Sequence, residues 1–194
     1  MVKSKLDTDI RVCYTIYSAT HSTPDTLSCV QKEREAKMKI AGIIKHSMVD
    51  GPGVRFVVFT QGCSHHCTGC HNPETWDPDR GIDISVDEIV SMIRKTKFLD
   101  GITFSGGDPM LQAKECIELA KALSDYNIWC YTGWTLEEIE EGKAGEDAKE
   151  LLRHIDVLVD GRFVKDLKTD TCKYRGSSNQ KIIHLKKKKE GGIK

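Results

Sequence analysis

The stretch that decides the fold is "VRFVVFTQGCSHHCTGC", residues 54–70. Its first part, residues 54–60, is rich in β-branched and aromatic side chains, which predicts a strand. Its second part contains Cys63, Cys67 and Cys70 in the pattern Cys-x3-Cys-x2-Cys. The cysteines therefore follow the carboxyl end of a strand, which is where α/β folds bind their ligands.

Strand and helix patterns alternate along the chain around this stretch. Apolar and β-branched runs predict strands at residues 39–44, 54–60, 101–104, 127–131, 155–160 and 180–185. Capping residues and helical spacing predict helices after Ser85, Asp108 and Thr135, and another at residues 147–154. This alternation predicts parallel βαβ units with right-handed crossovers.

The length of the chain limits the barrel that these units can form. A closed eight-stranded α/β barrel takes about 250 residues, whereas this chain has 194. We therefore predict a single α/β domain built as an incomplete, open TIM-like barrel or curved sheet.

Composition excludes several classes of protein. Basic and acidic residues balance at 29 each, so there is no excess positive charge of the kind that marks nucleic-acid binders or membrane-surface proteins. No apolar run approaches the roughly 20 residues of a membrane span, and the first residues do not resemble a secretory signal. We predict a cytoplasmic protein, in which eight cysteines favour metal or redox chemistry over disulfides.

The two ends of the chain differ from its middle. Residues 1–37 are polar without a sustained period, which predicts a weakly ordered extension containing Cys13 and Cys29 as unpaired thiols. Met38 opens the predicted domain, residues 38–185, and is a candidate for the natural start of translation. Residues 186–194 are predicted to be a solvated basic tail.

The cysteine loop admits three kinds of chemistry. A 4Fe-4S cluster normally takes four thiolates, so three would leave one iron open to a small molecule, as catalytic metal sites leave a position open. Alternatively, a histidine among His65, His66 and His71 could complete a structural zinc site, and a thiol or disulfide role is the third alternative. The position of the loop at a strand end favours the cluster.

Two further strands end in glycine-containing loops. Ser105, Gly106, Gly107 and Asp108 follow the strand at 101–104, and Thr132 with Gly133 follows the strand at 127–131. Glycine lets backbone groups approach a ligand closely. Each loop alone is typical of an ordinary turn, but three strand ends at one edge of a parallel sheet indicate a site.

The remaining conspicuous residues have plainer interpretations. We expect His65 and His66 to be solvent-exposed, and Cys116 and Cys130 to be small core residues. The three tryptophans, Trp76, Trp129 and Trp134, are expected to pack near the site. Cys172 lies in a polar loop, and its role is open.

Four longer strings carry a resemblance to known proteins: "DGPGVRFVVFTQGCSHHCTGCHNPETWD", "GITFSGGDPM", "VLVDGRFVKDL" and "YRGSSNQKII". The cysteine spacing and the strand that ends in Gly-Gly resemble the radical S-adenosylmethionine superfamily. Within it, the strings are similar to the activating proteins of anaerobic, class III ribonucleoside-triphosphate reductases, over about residues 38–185. Gly69, where the wider superfamily has an aromatic residue, and the string at 175–180 favour this family.

The resemblance implies a cofactor arrangement. Cys63, Cys67 and Cys70 would hold a 4Fe-4S cluster whose fourth iron binds S-adenosylmethionine, and one electron would cleave that cofactor to methionine and a 5′-deoxyadenosyl radical. Further cofactor contacts are implied near the methionine amine (Ser105, Gly106, Gly107, Asp108), near the adenosine (Gly69, His71) and, more weakly, at Thr132 and Gly133.

The resemblance also implies partners. The radical would abstract hydrogen from a backbone glycine of the large reductase subunit, and a flavodoxin-like protein would donate the electron. Residues 50–53 and the segment around Arg175 are candidates for the partner surface, with turn roles as the alternative. The other hypotheses are activation of a pyruvate formate-lyase type of enzyme, radical chemistry on a purine-like metabolite, and a non-catalytic zinc-binding module.

Overall fold

The computed structural model describes residues 36–169 and 171–185. The predicted basic tail, Cys13 and Cys29 lie outside these residues, as does the extension up to residue 35. The strands are β1 (Lys37–Ser47), β2 (Arg55–Thr60), β3 (Ile82–Ser85), β4 (Gly101–Gly106), β5 (Asn127–Tyr131), β6 (Val157–Asp160) and β7 (Lys181–His184). The α-helices are α1 (Val86–Lys95), α2 (Ala113–Ala122), α3 (Leu136–Glu140) and α4 (Glu146–Leu151).

The strands form one seven-stranded sheet in the order β3-β1-β2-β4-β5-β6-β7. The four central strands, β2, β4, β5 and β6, run parallel, whereas β1, β3 and β7 pair antiparallel with their neighbours. The predicted α/β fold with parallel units is therefore confirmed for the centre of the sheet. The antiparallel strands widen it on both sides.

The register brings three strand ends to one edge. Thr60 at the end of β2 lies opposite Gly106 of β4. Phe104 of β4 lies opposite Cys130 of β5, and Tyr131 pairs in turn with Val159 of β6. The loops that follow β2, β4 and β5 consequently leave the sheet side by side, as expected from the sequence.

The predicted strands are all present, and β5 has the predicted bounds. Sequence patterns missed β3, a four-residue edge strand beside β1 in which Ile82 is 63% exposed. The helix expected directly after Asp108 begins as a 3₁₀ turn, Pro109–Gln112, before α2. The last predicted helix is shorter than expected, since α4 ends at Leu151.

Helix α1 shows how local sequence positions these elements. The Ser85 hydroxyl accepts a hydrogen bond from the Glu88 amide at 3.2 Å, and the Glu88 carboxylate accepts one from the Ser85 amide at 3.1 Å. This reciprocal cap satisfies two otherwise unpaired donors. Val86, Ile89 and Ile93 then face the core at helical spacing, and all three are buried.

The amino-terminal end of the parallel strands is closed by a buried arginine. Arg55, 1% exposed, donates from Nη2 to the carbonyls of Ile102 and Asn127 at 2.6 and 2.8 Å, and from Nε to the Thr103 hydroxyl at 2.7 Å. Its guanidinium lies 5.4 Å from the centre of the Trp129 ring. Burial lowers the pKa of Arg55 to about 10, so the group stays charged at neutral pH.

No helix in the described ranges combines the length and the apolar character needed to cross a bilayer.

Candidate functional site

The loop that carries the three cysteines is closed at its base by backbone hydrogen bonds. The amides of Gly62 and Cys63 donate to the carbonyls of Thr75 and Trp76, at 2.8 and 3.0 Å. Within the loop, the Cys70 amide donates to the Cys67 carbonyl at 3.0 Å. The loop therefore returns to the end of β2 and holds its cysteines at the edge of the sheet.

The three cysteines are half-buried free thiols that line one cavity of about 120 Å³. The cavity is also lined by five residues predicted from the sequence, which lie at the end of β4 and in the loops after β4 and β5: Ser105, Gly106, Gly107, Thr132 and Gly133. The three predicted strand ends thus converge on the cysteines.

A larger cavity of about 500 Å³ adjoins the first, and the two share Cys70, Ser105 and Tyr131 among their walls. Its walls also include Asp50 and Arg175. Both segments that the sequence indicated as candidates for a partner surface therefore line the same space as Cys70. Burial raises the pKa of Tyr131, so its phenol is neutral at physiological pH.

Gly69 and His71 flank the third cysteine, but only His71 lines one of the two cavities. His71 lines the larger cavity, with its ring 5.1 Å from that of Phe163. Gly69 has φ of +78°, and a Cβ there would lie 3.4 Å from the Lys165 side chain. It is not among the residues that line the two cavities, so its contact with an adenosine group stays a prediction.

Asp108 is fully buried and outside the lining of both cavities. Its carboxylate accepts hydrogen bonds from the Met110 amide at 3.0 Å, the Thr132 hydroxyl at 2.9 Å and the Gly133 amide at 3.1 Å, and His65 Nε2 lies 2.8 Å away. The carboxylate thus ties the β4 loop to the β5 loop. A direct contact between Asp108 and a cofactor amine stays a prediction.

The expectation that His65 is solvent-exposed is wrong, whereas His66 is exposed as expected. The His65 side chain is only 5% exposed because Asp108, Trp134 and Arg162 surround it. Asp108 and Arg162 lie 43 and 97 residues away in the sequence. No local pattern could have indicated this contact.

The expectation that Cys116 and Cys130 are core residues is confirmed. Cys116 and Cys130 are fully buried, and burial raises the pKa of both thiols, which makes them unreactive core residues. Cys172 is half-buried and lines a third cavity of about 530 Å³ together with Met48 and Val49.

Backbone amides are directed at the sulfur atoms of the loop. Burial raises the pKa of the Cys63 thiol, while hydrogen bonds from the backbone of His65 and His66 act in the opposite direction. The Asn72 amide lies 3.4 Å from Cys70 Sγ. Such N–H···S hydrogen bonds are a means by which proteins tune iron-sulfur clusters.

The residues present fit a cluster with three protein ligands. Thiolates are the usual ligands of iron-sulfur clusters, and the three thiols line one cavity together with Gly106, Gly107 and Gly133. A Cβ on Gly107 would lie 2.1 Å from the Gly62 carbonyl oxygen, so only glycine allows this approach. In residues 36–169 and 171–185, no three or more His, Cys, Asp or Glu side chains are arranged to hold a single metal ion.

Comparison with known proteins agrees with this chemistry. A family model described as a 4Fe-4S single cluster domain matches residues 49–183. Proteins named "Anaerobic ribonucleoside-triphosphate reductase-activating protein" are 36% identical over 147 residues in Vibrio cholerae (71% of this chain, 91% of that protein) and 35% identical over 149 residues in Escherichia coli K12 (72% and 94%).

A relative encoded by a bacteriophage has the same name. The protein so named from Enterobacteria phage T4 is 34% identical over 143 residues, which cover 69% of this chain and 86% of that protein. Among solved structures, the crystal structure of QueE from Escherichia coli aligns with 51% of this chain and 53% of that chain, with a TM-score of 0.43 and 16% identity. That likeness is too low to carry an argument.

Proposed function

The chain belongs to the family of anaerobic ribonucleoside-triphosphate reductase-activating proteins, and from this premise we propose that it is a radical S-adenosylmethionine enzyme that activates such a reductase. The observation that carries the proposal is the single cavity lined by the three loop cysteines and by the glycine-containing ends of β4 and β5. A 4Fe-4S cluster and S-adenosylmethionine are the cofactors that this lining would receive.

The cysteine loop would bind the cluster, and the glycine loops would bind S-adenosylmethionine. Cys63, Cys67 and Cys70 would each bind one iron, which leaves the fourth iron to the amino and carboxylate groups of S-adenosylmethionine. When bound and reduced, the cluster supplies the electron that cleaves a carbon-sulfur bond of this cofactor. The protein supplies orientation and shielding from water.

The backbone of Gly106 and Gly107 would receive the methionine part of the cofactor. Their lack of a side chain leaves backbone groups accessible at the cavity wall. Ser105 lines both cavities and would lie between the methionine part and the larger cavity. His71, and Gly69 on the other side of Cys70, would approach the adenosine.

The larger cavity would receive the glycine that is to be activated. Residues of β2, β4 and β5 line it, namely Phe59, Ser105 and Tyr131, and this shared lining supports the proposal of an incomplete, open TIM-like barrel. Asp50 and Arg175 also line it. An open barrel suits a substrate that is itself a protein loop, here a loop of the large reductase subunit, and a flavodoxin-like protein would supply the electron.

Electron paramagnetic resonance tests the proposal directly. The protein is reconstituted anaerobically with iron and sulfide, then mixed with S-adenosylmethionine, a reductant and an anaerobic ribonucleoside-triphosphate reductase. We expect a glycyl doublet on the reductase that is absent with the Cys67→Ala variant. A doublet on a pyruvate formate-lyase type of partner instead, or a colourless protein with stoichiometric zinc, would contradict the proposal.

A further inference from the structure

We propose that His65 is a positioning residue that fixes the cysteine loop against the ends of β4 and β5. This inference rests on the proposed cluster and adds a residue outside the ligand set. The observation that carries it is a pair of hydrogen bonds from the His65 ring, one to the buried Asp108 and one to the more exposed Arg162.

The contacts of the His65 ring define its tautomer. Arg162 Nε donates to His65 Nδ1 at 3.2 Å, and arginine has no acceptor. Nδ1 is therefore the acceptor nitrogen, and Nε2 carries the proton that it donates to Asp108 Oδ2 at 2.8 Å. The ring therefore bridges the Asp108 carboxylate and the Arg162 guanidinium.

Both partners of the ring are themselves held. Asp108 accepts from the Thr132 hydroxyl and the Gly133 amide, and Arg162 forms an ion pair with Glu138 at 3.2 Å. The Trp134 ring packs edge-on against His65 with 4.8 Å between ring centres. One imidazole therefore joins the cysteine loop to the loops after β4, β5 and β6.

The route from this ring to the cluster ligands is short. His65 lies two residues after Cys63 and two before Cys67, and hydrogen bonding from the backbone of His65 and His66 acts to lower the pKa of the Cys63 thiol. Because the ring anchors residue 65, it fixes where these donors lie relative to Cys63. Hydrogen bonds to the sulfurs of an iron-sulfur cluster help set its reduction potential, so loss of the anchor should make the cluster harder to reduce.

Gly133 provides an independent test of the same packing. A Cβ there would lie 2.2, 2.6 and 2.8 Å from three atoms of the His65 ring, and these are its nearest neighbours. The backbone of Gly133 is outside the left-handed region, so alanine causes no backbone strain. A Gly133→Ala substitution therefore displaces the His65 ring without removing any of its hydrogen-bonding atoms.

The first experiment compares His65→Asn with His66→Asn in the full chain after anaerobic reconstitution. We expect both variants to bind the wild-type amount of iron. At a fixed solution potential, the reduced fraction of the His65→Asn cluster should fall about tenfold relative to the oxidised fraction, which corresponds to about 59 mV for one electron. His66→Asn should match the wild type, since His66 is exposed and asparagine tolerates its φ of +47°.

The second experiment is a double-substitution cycle on the same potential. Gly133→Ala alone should shift the potential in the same direction as His65→Ala. Adding Gly133→Ala to His65→Ala should then change it little, because the ring with which the methyl group collides is gone. The unfolding midpoint of the cluster-free proteins should follow the same non-additive pattern.

The outcomes separate this inference from the proposed function. A wild-type potential in His65→Asn, or additive shifts from Gly133→Ala and His65→Ala, would overturn the positioning role while the glycyl doublet formed by the wild type still supports the activase. Absence of the cluster or of the doublet in the wild type would instead refute the proposed function.

Discussion

The polar groups at the two ends of the central parallel strands differ: those at one end are hydrogen-bonded within the chain, and those at the other line cavities. At the amino-terminal end, Arg55 finds its partners within the chain, in backbone carbonyls, Thr103 and Asn127. At the carboxyl-terminal end, three half-buried thiols and the glycine loops surround adjoining cavities of about 120 and 500 Å³. The same sheet thus carries a sealed end and an open one.

Unpaired polar atoms follow the same division. In the described residues, the buried side-chain nitrogens without a hydrogen-bond partner are Trp76 Nε1, Trp134 Nε1 and Arg175 Nε. Trp76 and Trp134 pack against the histidines of the cysteine loop, and Arg175 lines the larger cavity. Because an unpaired buried polar group is costly, their concentration at one end indicates a site that is completed by other molecules, whereas Arg55 has a structural role.

The largest effect is expected from the thiols of the open end. Single Cys63→Ala, Cys67→Ala or Cys70→Ala substitutions should abolish the proposed reductive cleavage of S-adenosylmethionine, because each removes a proposed cluster ligand that no neighbouring cysteine can replace. Methionine and 5′-deoxyadenosine are quantified by chromatography, and iron content is measured in parallel. Cys172→Ser serves as the control and should retain cleavage. Wild-type cleavage by any of the three ligand variants would contradict the assigned ligation.

At the sealed end, by contrast, a substitution should lower the stability of the fold without removing a proposed cluster ligand. Arg55→Leu removes the buried guanidinium and its hydrogen bonds to Ile102, Thr103 and Asn127, so we expect the free energy of unfolding to fall by about 3–5 kcal/mol. Chemical denaturation of the cluster-free protein measures this change.

A matched arginine on the surface controls for the loss of the side chain itself. Arg94 pairs with Asp125 in an exposed ion pair, and such pairs contribute little to stability. Arg94→Leu should therefore leave the denaturation midpoint nearly unchanged. Equal midpoints for the two leucine variants would refute the structural role assigned to Arg55.

A smaller effect is expected where the glycine loop approaches the cysteine loop. In Gly107→Ala the new methyl group meets the Gly62 carbonyl oxygen, which is backbone and cannot rotate away. We expect the free energy of unfolding to fall by about 1–3 kcal/mol. We also expect weaker binding of S-adenosylmethionine in an equilibrium binding assay. Gly42→Ala is the control because a Cβ there meets nothing within 4 Å. Identical behaviour of the two alanine variants would argue against close contact of the loops.

The sequence predicts the features that depend on neighbouring residues. The strand patterns and the cysteine spacing are local, and parallel strands necessarily bring their carboxyl ends to one edge. The convergence of Cys63, Gly106 and Thr132 on one cavity therefore follows from the alternation of strands and helices alone.

The features that the sequence does not predict depend on distant contacts. Strand β3 is only four residues long, too short for its alternation of Ile82 and Ile84 with polar residues to stand out, and it pairs with β1 alone. His65 is buried by Asp108 and Arg162, which approach it only when the ends of β4 and β6 are adjacent to the loop. Both features depend on contacts between residues that are distant in the sequence, which local sequence patterns do not reveal.

The smallest effect is expected from removal of residues that precede the sheet. The polar composition of the amino-terminal extension predicts that deletion of residues 1–35 leaves both the denaturation midpoint and cofactor cleavage near wild type. The sheet itself begins earlier than the predicted domain start at Met38, since the Ala36 carbonyl accepts a hydrogen bond from Val86 and Lys37 pairs with Ser85.

Deletion of residues 1–37 should consequently cost about 1 kcal/mol more than deletion of residues 1–35, because it removes these backbone contacts of β1 with the start of α1 and with β3. Both truncated chains are compared by denaturation and by cofactor cleavage under identical conditions. If the shorter deletion already prevents folding or cluster binding, the domain boundary is wrong. If both truncated chains match the full chain, the contacts of Ala36 and Lys37 contribute nothing measurable, and the boundary predicted at Met38 is adequate.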